Sequence, residues 1–171
     1  MTGMLFLLPL IVIGKFHQKR LASEARLDAL FEMSPVGIAL NDYRSGKFLE
    51  VNDALLAPAG YTRAELLNMT YWDITPDTYF PDEKTQLSAL DLKGYFSDYK
   101  KEYIRKDGNR YPVKLNGVVV YDASGRKLIW SIVEDITIST QAERALLESK
   151  KKYQQLVEDI GDKFVIYSHK A

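Results

Sequence analysis

The 171 residues suffice for one ordinary domain with flanking segments, and 46% hydrophobic with 27% charged residues is a globular balance. Lysine plus arginine equals aspartate plus glutamate at 23 each, so no basic stripe points to nucleic acid and no acidic tail to a solvating arm. Cysteine is absent, which fits a reducing compartment and removes disulfides, thiolate metal sites, cysteine nucleophiles and cysteinyl cofactor adducts; the only histidines, His17 and His169, leave the middle of the chain without an imidazole base or haem ligand.

Met1 to Ile13 is almost wholly apolar. As a helix it spans about 20 Å, short of the ~30 Å hydrocarbon core. Lys15, Lys19 and Arg20 come directly after it. The pattern predicts the last part of a transmembrane helix over 1–14, with chain upstream, and the bias of basic residues places the segment from Lys15 onward on the cytoplasmic side of the inner membrane. The alternative is an apolar helix packed on the domain or in a dimer. Residues 15–33 read as a linker and flanking helix, amphipathic from Leu21 to Met33 with Leu27, Leu30 and Phe31 on one side, and stopped by Ser34-Pro35.

Val36 to Tyr43 and Lys47 to Val51 read as a hairpin about Arg44-Ser45-Gly46. Asn52 is a good N-cap for a short helix stopped by Pro58 and Gly60, and Thr62-x-x-Glu65 is a capping box opening another. Tyr71 to Pro76 is a short helical turn at best. Pro81, Asp82 and Glu83 suit the start of a helix that runs to about Leu92 and ends at Lys93-Gly94. A meander comes next: Tyr99 to Arg105, a Lys106-Asp107-Gly108-Asn109 turn, Arg110 to Tyr121, an Asp122-Ala123-Ser124-Gly125 turn, and Lys127 to Thr137. In the middle strand Tyr111, Val113, Leu115, Gly117, Val119 and Tyr121 share one face. Five strands with helices inserted between the second and third make an α+β layer.

From Ser139 to Asp159 a last helix carries Ala142, Leu146, Ser149, Tyr153, Leu156 and Ile160 at alternating spacings of four and three, the stripe of a two-helix seam. A partial repeat is also visible. Arg26 to Glu32 aligns with Lys152 to Glu158, and at the same offset Ile38-Ala39-Leu40 meets Phe164-Val165-Ile166. Residues 161–171 are therefore expected to begin a second copy of the domain, with its first strand at Phe164.

Five stretches in order carry a family resemblance: Ala29 to Ile38, Val51-Asn52-Asp53-Ala54, Gly60 to Leu66, Lys106-Asp107-Gly108, and Glu134-Asp135-Ile136-Thr137 before a heptad-like helix. Over Arg26 to Thr137 the chain resembles the PAS domains of bacterial signalling proteins, most closely those upstream of diguanylate cyclase or phosphodiesterase domains, with histidine-kinase modules similar. The resemblance implies a five-stranded antiparallel sheet with short helices on one face over 34–138, a ligand cavity between them, and flanking helices that dimerise, the later one (139–160) being the signalling helix. It implies a non-catalytic sensory module, a homodimer, whose output domain lies beyond Ala171.

The residues expected to line the cavity are Phe48, Tyr61, Tyr71, Trp72, Tyr95, Tyr103, Tyr111 and Trp130. Eleven tyrosines leave two options open: phenols that meet a small molecule, or rings that fill the core themselves, making the domain a ligand-free dimerisation adaptor. Haem-binding members of the family use a core histidine and light-sensing members a cysteine that attacks flavin; this chain has neither in its core, so the expected cofactor is none of these, with an unidentified small molecule or a non-covalent flavin left open. No metal-ligand spacing is present. Asp135 and Thr137 sit where the last strand hands over to the output helix and are expected to couple the two. Thr137 would cap the helix, and Asp135 would accept hydrogen bonds from backbone or a basic side chain.

Overall fold

The computed structural model describes residues 7–168, with side-chain surroundings over 18–160. Helix α1 (Leu7–Glu32) merges the apolar run and the flanking segment into one helix. Among the described residues no helix is long and apolar enough to cross a membrane, and Met1–Phe6, the start of the predicted span, lie outside them. The amphipathic face expected over 21–33 is not covered: Leu27 and Leu30 are each 62% exposed. Phe31 reaches the domain, its ring edge-on to Trp130 with centroids 5.9 Å apart.

Strands β1 (Gly37–Asp42), β2 (Phe48–Val51), β3 (Tyr95–Ile104), β4 (Arg110–Tyr121) and β5 (Lys127–Asp135) form one antiparallel sheet in the order β2-β1-β5-β4-β3. The short helices α2 (Asp53–Ala59) and α3 (Arg63–Leu66), a 3-10 turn at Asp77–Tyr79 and α4 (Phe80–Lys93) cover one face. That α+β architecture is the one expected from the pattern of elements. The core lies between the two layers and includes Phe48, Val51, Leu55, Leu66, Ile74, Tyr111, Val113 and Val133.

Asn52 fastens three of these pieces. Its Oδ1 accepts from the Ile38 N–H at 2.8 Å and from the Leu55 N–H at 3.2 Å, the second bond capping α2. Its Nδ2 donates to the carbonyls of Phe31 and Val36, both at 3.0 Å. Those four bonds use the full capacity of a carboxamide, and Asn52 is wholly buried. Pro58 does not stop α2; the helix runs one residue further and turns out at Gly60 with φ 76°. The Thr62–Glu65 capping box closes in both directions, at 3.3 Å and 2.9 Å.

Strand β3 begins at Tyr95, four residues before the sequence suggests. The cause is a bulge: Phe96 opposes Gly117 and Tyr99 opposes Leu115, so Ser97 and Asp98 stand against Asn116 alone. Asp98 takes φ 53°, which Asp tolerates better than most side chains, and its N–H donates to Asn116 Oδ1 at 3.0 Å. The bulge brings Phe96 and then Tyr99, Lys101 and Tyr103 onto the covered face. Phe96 lies over Gly117, where an added Cβ would fall 2.3 Å from its Cε1.

Helix α5 (Thr137–Ser168) continues through Phe164-Val165-Ile166, where the internal repeat predicts a strand. A strand there would have no neighbour to receive its N–H and C=O groups among the described residues, and the helix satisfies them internally. Residues 169–171, the end of the expected second copy and the site of His169, lie outside the described residues.

Candidate functional site

The inward side chains of β3 alternate as Tyr99, Lys101 and Tyr103, set opposite Leu115, Val113 and Tyr111 of β4. This puts a lysine in the middle of an aromatic wall. Lys101 is 4% exposed, and its Nζ stands 4.6 Å from the ring centre of Tyr103 and 5.6 Å from those of Tyr71 and Tyr99. The compensating charge is Glu83, in the first turn of α4, whose Oε1 accepts a hydrogen bond from the Lys101 ammonium. A second donor reaches Thr75 Oγ1 at 3.0 Å, and the Thr75 hydroxyl donates onward to the Tyr71 carbonyl at 2.7 Å. Burial pulls the Lys101 ammonium below the ordinary lysine range, while the charge and hydrogen bond of Glu83 work against that pull. Burial, reinforced by the Glu83 charge, raises the phenols of Tyr71, Tyr99 and Tyr103, so all three are neutral donors near neutral pH.

A cavity of about 30 Å³ adjoins this pair, bounded by α4 through Glu83, Gln86 and Leu90 and by the sheet through Asn41, Tyr99 and Ser131. That is room for a water or two. The Tyr99 hydroxyl is buried beside it and has no hydrogen-bond partner.

Of the eight residues expected to line a cavity, Tyr71 and Tyr103 do so. Phe48 and Tyr111 are buried in the adjoining core, and Tyr61 and Trp72 pack against its margin. Tyr95 and Trp130 do not belong. Tyr95 is 54% exposed on the opposite face, and Trp130 lies on that same face beneath Phe31. Apolar residues line both faces of β4 and β5, so alternation alone does not tell which face the helices cover. Lys101, Glu83, Thr75 and Tyr99 are polar residues of the site that sequence patterning does not single out. A signal was present for one of them: Lys101 shares the alternation phase of Tyr99 and Tyr103.

The same strand runs to the junction with α5. The Arg105 guanidinium stacks 4.0 Å from the Tyr111 ring centre, donates to the Pro58 carbonyl and pairs with Asp135 Oδ2 at 3.5 Å. Asp135 Oδ1 accepts from the Thr137 N–H at 2.8 Å and also from the Thr137 hydroxyl. The oxygen that ties down the start of α5 is thus Asp135's; Thr137 spends its hydroxyl on Asp135 and does not cap with it.

A family model described as a PAS domain matches residues 35–137. Among solved structures, the PAS domain of an HTR-like protein from Haloarcula marismortui is 31% identical, with a TM-score of 0.61 over 71% of this chain and 99% of that one. Among curated proteins, the hybrid signal transduction protein dokA of Dictyostelium discoideum is 31% identical over 77% of this chain, and the sensor histidine kinase TmoS of Ectopseudomonas mendocina 29% identical over 79%. The chain spans 8% and 14% of the length of those two relatives. The order of elements, the five-stranded sheet and the family match agree: this chain belongs to the PAS domain family, the sensory modules found in sensor histidine kinases and hybrid signalling proteins.

Proposed function

We propose that the chain senses a small molecule between its sheet and α4, and passes the occupancy of that site to α5. The observation that carries this is the path along β3. Lys101 reaches the cavity, and four residues on Arg105 reaches Asp135, the residue that fixes the first turn of α5. A shift of β3 on ligand binding moves both ends of that path. A ligand drives the change only through better binding to one arrangement than to the other.

The output in this proposal is a histidine kinase beyond the C-terminal end of α5, supported by the relatives of this chain rather than by the cyclase resemblance of its motifs. α5 carries the signal as one strand of a homodimer, with the exposed Leu146, Tyr153 and Ile160 in the seam. The apolar run before Lys15 tethers the module to the cytoplasmic side of the membrane.

The test is native mass spectrometry with an absorbance spectrum on the gently purified chain. Expected is a mass excess over the apo chain that disappears on denaturation. A clean apo mass at dimer size favours a ligand-free adaptor relaying a membrane signal. The small size of the cavity is the specific observation on the side of that second reading.

A further inference from the structure

We infer that the cavity takes a short-chain monocarboxylate, of acetate or propionate size, whose carboxylate replaces that of Glu83 on Lys101. This deepens the sensor reading and rests on it.

The polar groups at the cavity are unbalanced. Lys101 brings three N–H donors, of which one goes to Glu83 and one to Thr75. The Tyr99 hydroxyl is buried with no partner, and the only anion among the lining residues is Glu83 itself. A ligand rich in acceptors answers both the lysine and the spare phenol. A cationic ligand would need Lys101 to leave, and a neutral one leaves the ion pair untouched.

The two partners differ in freedom. Lys101 is held between Lys100 and Glu102 in a strand paired with β4 on both sides of it in sequence. Glu83 rides on α4, a 14-residue helix whose only buried residues are Glu83 and Leu90. Once Glu83 swings toward solvent, another anion is what keeps the buried ammonium charged. Size sets the rest. The existing space plus that vacated by a carboxylate admits a short acid, with Tyr71, Tyr103 and Leu115 as apolar walls for its alkyl end, and excludes dicarboxylates and aromatic acids. Binding therefore releases one of the two buried side chains of α4, while Asp91 keeps its bonds to Tyr43 and Lys127.

The experiment is a titration of the full chain with sodium acetate and sodium propionate at fixed pH and ionic strength, with acetamide and sodium chloride as controls, read by amide NMR shifts across α4 and β3. Saturable shifts with the two acids and none with the controls are expected. Glu83→Gln removes the competing charge and tightens acetate binding about tenfold. The double variant Lys101→Met/Glu83→Leu keeps a neutral, filled core and loses the response. Shifts matched by acetamide or chloride, or retained in the double variant, overturn the carboxylate assignment while leaving a small-molecule sensor standing. Absence of any saturable shift, together with an apo native mass, overturns the assignment and the sensor reading alike.

Discussion

Asn52 and Lys101 are both buried polar residues in the same small domain, and they are finished differently. Asn52 makes four hydrogen bonds from four valences and is wholly buried. Lys101 is paired, but beside it lie a cavity, an unpartnered phenol and a partner on a helix with only one other buried side chain. A closed polar node positions elements; an open one is available for exchange. The sequence does not distinguish them by residue type, since lysine is the costlier residue to bury and yet sits in the more adaptable place.

The comparison is broken most directly at Glu83. Glu83→Ala strands the Lys101 ammonium in the wall, and a loss of about 4 kcal/mol in denaturant unfolding is expected. Lys101→Met costs less, because the Glu83 carboxylate can turn to solvent, and the double variant Lys101→Met/Glu83→Leu returns close to the parent, since a buried ion pair and an apolar pair of similar volume are often equivalent. Equal losses from the two single changes would remove the asymmetry on which the contrast rests.

Asn52→Ala is expected to cost about 3 kcal/mol, by removing the side-chain partner of the Ile38 amide and the Phe31 carbonyl and by leaving the Leu55 amide only the Asn52 carbonyl and the Val36 carbonyl only the Ser34 hydroxyl. Here no second substitution restores stability, because all four partners are backbone. Gly117→Ala drives a methyl into Phe96 at the edge of the open node and is expected to cost about 2 kcal/mol. Adding Phe96→Leu should recover part of that loss, measured as a double-mutant cycle.

The smallest effect is at the rim. Hydrogen bonds from the Ser45 hydroxyl and N–H, helped by Arg126, lower the Asp42 carboxyl from 3.8 to about 2. The folded state then holds the Asp42 proton less tightly than the unfolded state does. The resulting stabilisation is complete above the ordinary aspartate range and is lost as pH falls from about 4 toward 2. Asp42→Asn should flatten that limb of the stability curve and cost about 1 kcal/mol at neutral pH.

Local chemistry was legible in the sequence wherever one or two residues decide the geometry. The bounds of β4, the Asn52 cap, the Thr62–Glu65 box and the end of α4 at Gly94 come from turn and cap residues acting on their own neighbours. Long-range facts were not. That Trp130 lies outside and Tyr99 inside depends on which face the helices cover, and the pairing of Glu83 with Lys101 joins residues 18 apart through a packing choice that no spacing encodes. At Phe164, where the repeat predicts a strand, the structure has helix: a strand needs a neighbour, whereas a helix carries its partners within itself.

The bulge at Ser97-Asp98 also decides how relatives of this chain should be compared with it. One residue added to a strand inverts its parity, so positions on either side of the bulge obey opposite odd-even rules. In a relative that lacks the extra residue, counting forward from the glycine after α4 would assign the cavity lysine to a residue that faces solvent. Counting backward from the Asp107-Gly108 turn keeps the phase, because Tyr103 and Tyr111 stay paired whatever happens upstream. Alignment gaps should therefore be set at 97–98, and the identity of the residue three places before the last of β3 in each relative then tells which of them has kept a cation within the wall.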